Sequence, residues 1–152
     1  MKIHRNVALV TTLALTGFLA GIAHAREVVA KDAPFTLPQA TIWGDTVLPS
    51  GNYTLSVVKL SAGRGDDYTV TVAGAGIKKT ILVMRRQGPD VGTNSMLVTE
   101  SRGDVHFIRE VHLPIANLVL TFQAPKAYRT LLAKSPEILQ SVPIQVAANQ
   151  RR

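Results

Sequence analysis

Between Phe35 and Gln123 the apolar residues recur at every second position in short runs, and Gly, Pro, Asn and Asp separate the runs. A period of two is the mark of half-buried strands, because successive side chains of a strand point to opposite faces. The pattern predicts strands over Ala40–Trp43, Tyr53–Leu60, Tyr68–Ala73, Lys79–Arg85, Met96–Glu100, Val105–Leu113 and Leu118–Gln123. In the second of these Tyr53, Leu55 and Val57 share one face, and Thr54 and Ser56 share the other. In the sixth, Val105, Phe107, Val111 and Leu113 align on one face, and Arg109 interrupts it. The expected fold is all-β, an antiparallel sandwich or small barrel of about seven strands.

The connectors carry turn chemistry. Leu48-Pro49-Ser50-Gly51-Asn52 supplies a fixed φ at Pro and a permissive one at Gly, directly before a strand. Ser61 to Asp67, Gly74-Ala75-Gly76 and Arg102-Gly103-Asp104 read as hairpin links, and Gln87 to Asn94 reads as a longer loop. After Pro125 the pattern shifts. Tyr128, Leu131 and Leu132 have helical spacing, and Ser135-Pro136-Glu137 resembles a helix start with Ser as cap, so a short helical segment is expected before a loosely held end.

The first 25 residues read as an export signal rather than as fold. Lys2 and Arg5 precede an apolar run from Val7 to Ala23, and Ala23-His24-Ala25 has the small-x-small pattern of a signal peptidase site. The expected organisation is a signal over 1–25, a lead-in over 26–34, a β-domain over 35–124 and a C-terminal extension over 125–152. No Cys follows the run and no Arg pair precedes it, so the general secretory route to the periplasm or the outside is expected, with no membrane span after cleavage. The 152 residues contain no Cys, which excludes disulfides, thiolate metal sites and cysteine nucleophiles. With 46% apolar residues a core can form, and packing must supply the stability. The net charge is +7, of which Lys2 and Arg5 carry two. The rest is a modest excess without a stacking run of aromatics, which argues against nucleic acid as a partner.

The segment Phe35-Thr36-Leu37-Pro38 through Trp43-Gly44-Asp45 to Leu48-Pro49-Ser50-Gly51-Asn52-Tyr53, with the later Arg109-Glu110-Val111-His112-Leu113-Pro114, resembles small exported bacterial β-domain proteins of unknown function. In those proteins an LPxGxY turn leads into a strand. The resemblance implies a β fold and carries no catalytic residue.

Candidate chemistry is sparse. His106, Glu110 and His112 fall on one face of a regular strand, but at about 3.3 Å per residue the two His would stand roughly 20 Å apart. Only Glu110 with His112 remains as a metal pair, and zinc would need a further ligand from another strand. Lys78, Lys79, Arg85 and Arg86 form basic ends to one strand and are the candidate anion site. Two Arg-Gly-Asp tripeptides, Arg64–Asp66 and Arg102–Asp104, lie where turns are needed, so turn preference competes with an adhesive role. Trp43, Tyr53 and Tyr68 suit a core better than a sugar-stacking surface. There is no G-x-S-x-G elbow, and no cofactor is expected.

The expected function is therefore an exported, non-catalytic structural or binding module of the cell envelope. Its candidate partners are an envelope polymer or another exported protein, and open strand edges make self-association a further candidate. The alternative is a metal-dependent or hydrolytic β-domain using Glu110 and His112. The exported protein is predicted to begin at Arg26. Intact mass spectrometry checks this, and a species that retains residues 1–25 contradicts it.

Overall fold

The structure is a computed structural model that describes residues 26–60, 67–84, 92–128 and 136–146. The predicted signal, one Arg-Gly-Asp (Arg64–Asp66), and Arg85 and Arg86 lie outside the described residues. Ten strands are present: β1 (Glu27–Leu37), β2 (Thr41–Trp43), β3 (Thr46–Leu48), β4 (Gly51–Leu60), β5 (Asp67–Gly74), β6 (Ile77–Met84), β7 (Met96–Arg102), β8 (Val105–Leu113), β9 (Leu118–Thr121) and β10 (Ile138–Pro143). They form a four-stranded sheet in the order β1-β4-β5-β6 and a six-stranded sheet in the order β10-β7-β8-β2-β3, with β9 also on β8. All pairings are antiparallel except the contact of β2 with β8 at Ile42 and Phe107. The sheets pack face to face as a sandwich.

Alternation places the core. Tyr53, Leu55 and Val57 of β4 and Tyr68, Val70 and Val72 of β5 face Leu97, Ile108, Val111, Leu118 and Leu120 of the second sheet within one buried cluster. Each such side chain contributes about 1.5–3 kcal/mol on leaving water. Trp43 closes one side, with its ring edge-on to Phe122 at 5.7 Å between centroids. The LPxGxY turn is held by its own ends: Leu48 and Tyr53 are buried, and the Tyr53 hydroxyl donates to the Pro49 carbonyl at 2.8 Å.

Three elements depart from the sequence pattern. β1 covers most of the expected lead-in, and its alternation is hidden by irregular register between Val28 and Ala33, where Asp32 adopts φ 47°. Ala30, Ala33, Phe35 and Leu37 are all inward, a spacing that only a bulge permits. Pro34 is tolerated because β1 is an edge strand. β3 is too short to show a period. Of the helical segment expected after Pro125, residues 129–135 lie outside the described residues; Pro136 and Glu137 are not helical, and Ile138 begins β10, which pairs with β7 from Ile138–Ser101 to Pro143–Met96. Its backbone bonds to β7 override a local capping signal. Among the described residues the only helical turns are two 3₁₀ turns, Pro114–Ala116 and Lys126–Tyr128.

The β5–β6 turn also explains Gly74. A Cβ there would stand 2.4 Å from the Asn52 carbonyl oxygen and 2.9 Å from the Tyr53 Cα, both backbone atoms that cannot swing away. Gly74→Ala is predicted to cost more than about 2 kcal/mol by forcing β4 and β5 apart. Denaturant titration checks this, and a change within experimental error contradicts it.

Candidate functional site

The strand β8 carries one extra residue. Val98 pairs with Glu110 and Thr99 with Ile108, so Arg109 has no partner on β7 and the faces change phase there. Ile108, Val111 and Leu113 therefore turn into the core, and Phe107, Arg109, Glu110 and His112 turn outward. The face expected from strict alternation is corrected by this bulge: Phe107 lies on the side opposite Val111, where Tyr128 covers it edge-on at 5.6 Å. His106 is likewise on the face opposite Glu110 and His112. It pairs with Ser101, whose Oγ lies 2.6 Å from the His106 Nδ1, and the Gln39 Nε2 lies 2.8 Å from the same nitrogen. Ser101 is 5% exposed, and Gln39 competes for the nitrogen that would have to act as its base.

On the outer face, Glu100 of β7 is 6% exposed and accepts from both neighbouring arginines. Its Oε1 receives Arg102 Nε at 2.5 Å and its Oε2 receives Arg109 Nη1 at 2.5 Å. Glu137, just before β10, accepts from Arg102 Nη2 at 3.1 Å and from Arg109 Nη1 at 3.3 Å. Burial alone would raise the Glu100 carboxyl, but the hydrogen bonds from Arg102 and Arg109 outweigh it and hold the group below its ordinary 4.5. The hydrogen bond to Glu100 holds the Arg109 guanidinium above its ordinary value against desolvation. This network borders a cavity of about 440 Å³ lined by Phe107, Arg109, Thr121, Phe122 and Ala124 among others.

The residues singled out from sequence are placed as follows. Glu110 and His112 do meet, with the His Nε2 2.7 Å from the Glu Oε2, so they engage each other. Among the described residues no third His, Cys, Asp or Glu joins them in a group able to hold a metal. Lys78 and Lys79 diverge: Lys78 is outward and exposed, and Lys79 reaches Asp45 of the β2–β3 turn at 2.6 Å. That contact, chiefly its hydrogen bond, lowers the Asp45 carboxyl. Trp43, Tyr53 and Tyr68 are core residues at 1%, 2% and 5% exposure. In the described Arg-Gly-Asp, Arg102 is bound to Glu100 and Glu137 rather than presented.

Sequence reasoning passed over Glu100, Thr121 and Glu137 and treated Arg102 and Arg109 separately. The available signal was Glu100 and Arg102 two positions apart on one strand, facing Arg109 across a short Gly103-Asp104 turn. Compared with known proteins, the chain matches no family model, no curated protein and no solved structure. Among the described residues no helix is long and apolar enough to cross a membrane, which leaves strand-based crossing unaddressed.

Because the folded Glu100 titrates below 4.5, protons bind the unfolded chain more readily. Its contribution to stability is complete above about pH 5 and is lost as pH falls through the folded value. Thermal unfolding between about pH 6 and pH 3 is predicted to show a smaller acid-induced drop in Tm for Glu100→Gln than for the wild type. Glu100→Ala at neutral pH should cost about 3 kcal/mol, because two arginines lose their shared acceptor. Equal acid dependence in Glu100→Gln and wild type contradicts the assignment.

Proposed function

We propose that the chain is an exported, non-catalytic binding module of the bacterial cell envelope that acts through the outer face of its six-stranded sheet. The observation that carries this reading is the cavity beside the Glu100, Arg102, Arg109 and Glu137 network. Its charged groups are paired with one another, an arrangement that fixes geometry rather than freeing a base or a nucleophile. The signal pattern at Ala23-His24-Ala25 supports export, and the LPxGxY resemblance supports an envelope setting. The Glu110–His112 pair reads as a partly buried hydrogen bond that braces β8, since the two groups engage each other.

A thermal-unfolding panel tests the proposal, with the purified protein against soluble glycans, peptidoglycan fragments, anionic polymers and divalent metals. A ligand at a hundredfold excess over its Kd adds about 2.7 kcal/mol, a shift of several degrees for a domain of this size. The predicted result is a shift with an organic ligand of the panel and none with the metals. Stoichiometric metal that disappears in His112→Ala, or ester or glycoside turnover that tracks His112, would overturn it.

A further inference from the structure

We propose that the cavity on the outer face is a carboxylate site, in which Arg109 and Thr121 hold the free carboxylate of a ligand whose apolar group lies against Phe107, Phe122 and Ala124. This deepens the binding-module reading and rests on it.

A guanidinium carries five N–H donors in a rigid fork. Glu100 and Glu137 both engage Arg109 through Nη1, and among the described residues no protein group engages its Nε or Nη2. The side chain is 41% exposed and lines the cavity. The unused edge, Nε with Nη2, is the one that matches the two oxygens of a carboxylate in parallel hydrogen bonds. Thr121 stands on the neighbouring strand β9, pairs with Glu110 and lines the same cavity, and among the described residues its hydroxyl has no hydrogen-bond partner. It supplies a third donor in the same cavity.

The two glutamates have a double effect. They hold Arg109 in one geometry before a ligand arrives, which lowers the entropy cost of binding. They also select for charge: Glu100 and Glu137 match the two arginines and Glu110 adds a third carboxylate acting on Arg109, so a monoanion meets less repulsion from the carboxylates than a phosphate dianion does. The volume of about 440 Å³ suits a ligand of amino-acid size with a compact apolar group.

Calorimetric titration of the purified protein with N-acetyl-phenylalanine, its amide, benzoate and inorganic phosphate tests this. Saturable binding is expected for the two carboxylates, with the amide and phosphate at least tenfold weaker. Thr121→Val leaves the ion network intact and should weaken carboxylate binding about tenfold, the value of one hydrogen bond to a charged group, with Tm unchanged. Arg109→Lys keeps the charge but loses the fork and should abolish binding, with melting curves confirming that the variant is folded. The proposal is overturned if the amide binds as tightly as the acid, if neither carboxylate binds, or if both variants bind like the wild type. Should neither carboxylate bind while a glycan or polymer of the wider panel does, the carboxylate assignment falls and the binding-module reading stands. Turnover that tracks His112 removes that reading separately.

Discussion

The extra residue that β8 carries at Arg109 lets one strand bury Ile108 and Val111 in the same layer and still send Arg109 and Glu110 together to the opposite side. A regular strand with this sequence would bury either Arg109 with Val111 or Glu110 with Ile108, and an unpaired charge in the core costs several kcal/mol. The bulge removes that conflict at the cost of one residue of β8, Arg109, that has no partner on β7. Everything on the outer face follows from it. Phe107 is placed under Tyr128, Arg109 beside Glu100, and Glu110 beside His112.

The ion network then ties together parts of the chain that are distant in sequence. Glu100 and Arg102 belong to β7, Arg109 to β8, and Glu137 to the approach to β10. Because Glu100 is nearly excluded from water, its two arginine bonds are screened far less than those of a surface pair. Glu137 is more open, and its bonds at 3.1 and 3.3 Å are correspondingly weaker anchors for the start of β10. The same carboxylates that anchor the strand orient Arg109 toward the cavity, so one set of contacts serves both packing and the proposed recognition.

Much of the fold was legible in the sequence because most strands obey strict alternation. β4 and β5 show it residue by residue, from Tyr53 to Val57 and from Tyr68 to Val72. β1 was hidden by the irregularity around Asp32, and β10 by a Ser-Pro-Glu triplet that imitates a helix cap while Ile138 and Leu139 stand more than half exposed on an edge. The site was harder to read for a related reason. A bulge leaves no mark in composition, so period-two counting put His106 with Glu110 and His112 and treated Arg109 as an intrusion into an apolar face. Glu137 could not have been joined to Arg102 and Arg109 from sequence, because only the pairing of β10 with β7 brings it there.

The placement of the bulge can be tested by thiol labelling, since the chain has no native cysteine to interfere. Single cysteines introduced in turn for Ile108, Arg109, Glu110 and Val111 would be labelled in the folded protein and their rates compared with the unfolded chain. The account predicts two consecutive fast positions, 109 and 110, flanked by two slow ones, 108 and 111. Strict alternation, with 108 and 110 in one class and 109 and 111 in the other, would contradict it.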